Sequence, residues 1–212
     1  MIPAASAQDE RLLAYAAGTL RAPEAAVIAA HLSLKPAAGA WVRRLQEVGG
    51  DLLADLDPAD LDRDALDRAL ARVEADGGEA ATPAPRNDMP ELPEALRRHP
   101  LGPWRWIGPG IHVREVIGLR DGACRTILLK VDPGRAAPHH AHQGLELTCV
   151  LSGAYATDEA EYRPGDIEEA DPTVRHTQWV TSDDPCLCVV ALEGQLRYGG
   201  PLGWLFNRFV RL

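Results

Sequence analysis

A chain of 212 residues with 22 basic against 31 acidic side chains and a net charge of −9 is long enough to bury its own core. It presents no positive field to draw a phosphate backbone, which argues against direct nucleic-acid binding. No run approaches the ~18 apolar residues of a membrane span, the first ten residues (Met1 to Glu10) lack the basic and apolar regions of a signal peptide, and four cysteines (Cys124, Cys149, Cys186, Cys188) lie in apolar runs, so a cytoplasmic protein in a reducing compartment with no membrane contact is expected.

Residues 1–98 hold 24 alanines and residues 99–212 hold 9, whereas four of five tryptophans and six of seven histidines fall in the second part. The first part reads as helices, because apolar residues recur at steps of three and four. Leu12, Leu13, Ala16, Ala17 and Leu20 mark one helix, and Val27, Ile28, Ala30 and Leu32 a second. Between them Gly18 and Pro23 punctuate the chain, and Pro23-Glu24 suits a helical first turn. A third helix is predicted over about 38–55 with the stripe Trp41, Leu45, Val48 and Leu52. A fourth, over about 63–75, carries Leu66, Leu70 and Val73. Together they predict a small four-helix bundle over residues 1–76. Prolines and glycines crowd the stretch after Asp76, and a mobile linker is predicted over 77–98.

Beyond the linker the period shortens. Thr126–Val131, Leu147–Leu151, Tyr162 and Cys186–Leu192 read as strands closed by Asp-Pro-Gly, Ser-Gly, Pro-Gly-Asp and Glu-Gly turns. Turn signals at that spacing predict an all-β sandwich or barrel over 99–212. The fold class is thus multi-domain, α followed by all-β.

The densest group of ligand-type side chains runs from Gly134 to Glu146. On an extended strand His140 and His142 share a face about 7 Å apart, close enough to chelate one ion. Gly144 allows a turn that brings Glu146 alongside, and His176, after Pro164-Gly165-Asp166, can arrive on a neighbouring strand. Three imidazoles and a carboxylate suit zinc, iron, manganese, nickel or copper and are poor for calcium or magnesium. His139 points to the opposite face and is assigned a structural or surface role. Cys186 and Cys188 also share a face, but a disulfide between them would distort the strand, so apolar filling is their first reading and redox chemistry their second. Trp104 and Trp106 are placed at the barrel rim.

Gly-x5-His-x-His-x3-Glu-x6-Gly over Gly134–Gly153, with Pro-Gly-Asp and a later His, resembles the two motifs of the cupin superfamily. The whole chain resembles the ChrR family of anti-sigma factors, through Leu13–Leu20, Ala30–Leu34, Gly144–Thr148, Gly165–Glu168 and the Cys186-x-Cys188 pair. That resemblance implies a helical domain that holds an extracytoplasmic-function sigma factor, released under singlet-oxygen or peroxide stress sensed through a cupin that binds one divalent ion, zinc in this family. In the family the helical domain also holds zinc through an N-terminal His and a His-x3-Cys-x2-Cys segment. Here His31 is kept, but Ser6, Lys35 and Ala38 stand at the other places. One imidazole cannot hold structural zinc, so none is expected in the helical domain, and His31 reverts to a helix-end histidine suited to the dipole. The alternative function is a cupin-type metal-dependent dioxygenase or isomerase acting on a small molecule.

Overall fold

A computed structural model describes residues 7–75 and 87–198; the side chains of Ala7, of residues 138–142 and of residues 196–198 lie outside that description. Four helices come first: α1 (Ala7–Ala16), α2 (Ala22–Leu34), α3 (Pro36–Ala54) and α4 (Ala65–Ala75), followed by one turn, α5 (Glu94–Arg97). The strands are β1 (Arg105–Gly108), β2 (Ile111–Asp121), β3 (Cys124–Val131), β4 (Ala136–His142), β5 (Glu146–Ser152) and β6 (Tyr155–Ala156). Then come β7 (Glu161–Tyr162), β8 (Ile167–Ala170), β9 (Arg175–Val180), β10 (Cys186–Glu193) and β11 (Leu196–Tyr198). They form two antiparallel sheets, β1-β2-β3-β10-β5-β8 and β11-β4-β9-β6-β7.

The central strands β5 and β10 of the six-stranded sheet are buried on both faces, which is why they read as nearly unbroken apolar runs. Val150, Cys186, Cys188, Val190 and Leu192 face the interior between the sheets with Ile127 and Tyr155. On the reverse face, Leu128, Leu147, Cys149, Val189 and Ala191 meet Val27, Ile28 and Ala30 of α2 in one continuous core. α2 is apolar nearly all round, and its small alanines let the helix lie close to the sheet. It starts at Arg21, whose backbone N–H donates to Glu24 Oε2 at 3.2 Å, with Pro23 in the first turn.

Two expectations change. Of the predicted bundle of four helices, α1, α2 and α3 pack on one another and α2 also lies on the sheet, whereas no residue of α4 is buried. Of the predicted linker, residues 76–86 lie outside the described residues, whereas 87–98 are packed. Leu92 and Leu96 enter the core beside α2. Asn87 Nδ2 ties the segment by donating to the carbonyls of Leu96 and His99, each at 3.0 Å.

Candidate metal centre

Strand β9 carries His176 inward, because the strand alternates and His176, Gln178 and Val180 are its buried positions. Across the β4–β9 ladder the backbone of His140 is the register partner of His176. The side chains of His139, His140 and His142 lie outside the described residues, so only their strand positions are known. Glu146 opens β5 in the opposite sheet, is buried, and accepts the Thr148 hydroxyl at 3.2 Å. Among the described residues no three of His, Cys, Asp and Glu converge on a metal position.

One residue that the sequence reading did not single out for the site organises this region. Glu168, on β8, is 7% exposed. Its Oε1 accepts from His176 Nδ1 at 2.7 Å, and its Oε2 accepts from Tyr155 Oη and Gln178 Nε2, both at 2.6 Å. A buried carboxylate so supplied stays satisfied and fixes the imidazole's tautomer and plane. Burial is the largest single influence on His176 and opposes its charge. The hydrogen bond and charge of Glu168, helped by Glu146, outweigh it, so the ring titrates above its ordinary range. Tyr155 is pushed well above the usual tyrosine range, by burial first and by Glu168 next. Nδ1 of His176 is thus bonded to a carboxylate, an arrangement common to metal-ligating histidines.

Cys186 and Cys188 face the interior with their sulfurs 3.7 Å apart, nearer than an ideal extended strand suggests. The β10–β5 register slips between Leu187 and Cys188, where one step on β10 spans two on β5. A hydrogen bond from Cys188 lowers the pKa of Cys186 and raises that of Cys188. Both thiols line a cavity of about 20 Å³ together with Thr148, Tyr155 and Gln178. The cysteine pair and two of the three donors to Glu168, Tyr155 and Gln178, therefore border one void.

His31 is not a solvated helix-end charge. It is buried, with Nδ1 2.6 Å from the carbonyl of Gly165 in the turn before β8. Lys35 Nζ sits 3.0 Å from Asp166 in the same turn. Gly165 has φ +86, and a Cβ there would come within 2.7 Å of Lys35. Ser6 lies outside the described residues, and Ala38 packs at the edge of the core. Trp104 and Trp106 are exposed, and the Arg114 guanidinium lies 5.7 Å from the Trp104 ring centre.

Helices packed on a two-sheet antiparallel barrel, with a His–Glu–Gln–Tyr network inside it, define a helical–cupin protein. Residues 97–196 match the ChrR Cupin-like domain. The chain is 36% identical over 210 residues, 96% of each chain, to the anti-sigma-E factor ChrR of Cereibacter sphaeroides. It superposes with a TM-score of 0.68 and 34% identity on the Rhodobacter sphaeroides structure of SigE in complex with the anti-sigma ChrR, covering 87% of this chain and 96% of that one. The chain belongs to the ChrR family, and is a regulator rather than the cupin enzyme held as the alternative.

Proposed function

We propose that this chain is an anti-sigma factor that sequesters an extracytoplasmic-function sigma factor and releases it under singlet-oxygen or peroxide stress. The observation that carries the reading is the uncovered apolar surface of α3, α4 and the segment 55–64 between them. Leu53 is 69% exposed, Leu61 84% and Val73 71%, alongside Leu52, Leu56, Leu66 and Leu70, whereas α2 buries Val27, Ile28 and Ala30 against the sheet. Apolar faces of that extent mark a binding surface, and the family relative of known structure is a complex with SigE. No helix among the described residues is long and apolar enough to cross a membrane, so these leucines are not a span.

For sensing, His140, His142, Glu146 and His176 would hold one divalent ion, zinc by family resemblance. Such an ion would tie β4 and β9 of one sheet to β5 of the other. Glu168 would keep His176 in its ligating tautomer. The test is purification of the full-length chain with the host's sigma factors and metal analysis of the same sample. A stoichiometric complex that dissociates on oxidant, and fails to respond after His140→Ala with Glu146→Ala, supports the reading. A chain that captures none of those sigma factors overturns it.

A further inference from the structure

We propose that a recess on the barrel-facing side of β1, β2 and β3 binds a small organic anion, its acidic head held by Arg105, Arg120 and Arg125 and its apolar body laid on Val113 and Ile127. The recess has a volume of about 350 Å³, with those three arginines and Glu115 as its charged lining. Val113 and Ile127 belong to the apolar cluster between the sheets, so the floor is apolar.

A break in the β2–β3 ladder builds it. Glu115 pairs with Ile127, and the next pair is Arg120 with Arg125, so four residues of β2 stand against one of β3. Gly118, with φ +87, permits the excursion. The bulge returns Arg120 to Glu115, at 3.2 Å. That pair accounts for the one carboxylate in the lining and leaves two cationic side chains in excess. Arg105 and Arg125 make no hydrogen bond or ion pair among the described residues, and Arg125 Nη2 is shielded from solvent without a partner. A buried donor left unmet is costly, more so when charged, and such orphans call for an explanation. Burial first, and the charge of Arg120 next, hold the Arg125 pKa below its ordinary value, as expected where positive charge lacks a counterion. A carboxylate or phosphate would meet the guanidinium fork, and the size and floor call for an apolar body beyond the head group.

The test uses the full-length protein without a sigma factor, so its outcome is separate from that of the regulatory reading. Hexanoate, hexanamide and inorganic phosphate are titrated by calorimetry and by shift of the thermal midpoint. Hexanoate is expected to bind saturably and hexanamide not. Arg125→Leu is expected to keep or raise the unliganded midpoint while weakening hexanoate at least tenfold. Arg105→Ala, at an exposed strand position, gives the same loss without touching a buried site. Equal response to hexanoate and hexanamide, no response to hexanoate, or unchanged binding in both variants overturns the proposal. A response to phosphate without one to hexanoate also overturns the organic ligand.

Discussion

Glu168 illustrates how one side chain can hold a site without being a ligand. Substituting Glu168→Gln keeps the shape but exchanges a charged acceptor for an amide, so His176 loses the partner that fixes its ring. Metal affinity is expected to fall about 10- to 100-fold, measured by competition with a chromogenic chelator. Glu168 and Glu169 are adjacent carboxylates that nothing in the local sequence tells apart. Only the alternation of burial along β8, with Glu168 and Ala170 inward, separates them. The cysteines were legible as a same-face pair, but their sulfur separation depends on the slipped register with β5, which no local pattern announces. Burial pushes Cys149 up to about 12 and raises Cys124, whereas Cys186 is lowered. Hydroperoxide is therefore expected to oxidise Cys186 first, to a sulfenic acid, with Cys188 then closing the disulfide and releasing water. Peptide mass mapping should find that product at Cys186/Cys188, with Cys124 and Cys149 still reduced.

Among the elements, α3 and α4 separate stability from binding most cleanly. Leu66 and Leu70 are exposed. Replacing both by Asp is expected to leave the thermal midpoint of the free protein within a degree or two, since exposed positions contribute within about 0.5 kcal/mol, while weakening the sigma complex by tenfold or more in calorimetry. The helices themselves were readable from apolar steps of three and four. That α4 would remain unpartnered was not, because an amphipathic stripe gives the same signal whether a neighbour or another protein covers it. Composition hid the packed segment 87–98 in a similar way: Leu92 and Leu96, four residues apart, were lost among prolines. Helix and barrel are also joined by ion pairs, including Arg21 with Glu193 at 2.7 Å and Arg11 with Glu169 at 2.8 Å. The Arg21 hydrogen bond lowers the Glu193 pKa. Its contribution is thus present above the unfolded glutamate value, about 4.3, and is lost as pH falls through the lower folded value. With both side chains about a third exposed, solvent screening leaves the pair worth under about 1 kcal/mol. The gap in thermal midpoint between the wild type and Glu193→Gln should close as pH drops from 7 to 3.

At the scale of the molecule, α2 is where the two halves become one body. Ile28 is fully buried between helix and sheet, and Ile28→Ala is expected to cost about 2–5 kcal/mol. The loss should appear as a lower midpoint of a single transition shared by near-ultraviolet and far-ultraviolet circular dichroism, since α2 shares one core with the sheet. α2 rests on Leu147 and Cys149, the reverse face of the strand that carries Glu146 and Thr148, and His31 grips the turn that leads into Glu168. One strand's thickness therefore separates the helical layer from the proposed ion. Thermodynamic reciprocity then applies. Under the proposed function, whatever factor the ion adds to the hold on sigma, sigma must add to the hold on the ion. A barrel with its client bound should surrender metal to a chelator less readily than a free one, making the occupied regulator the harder of the two to trip.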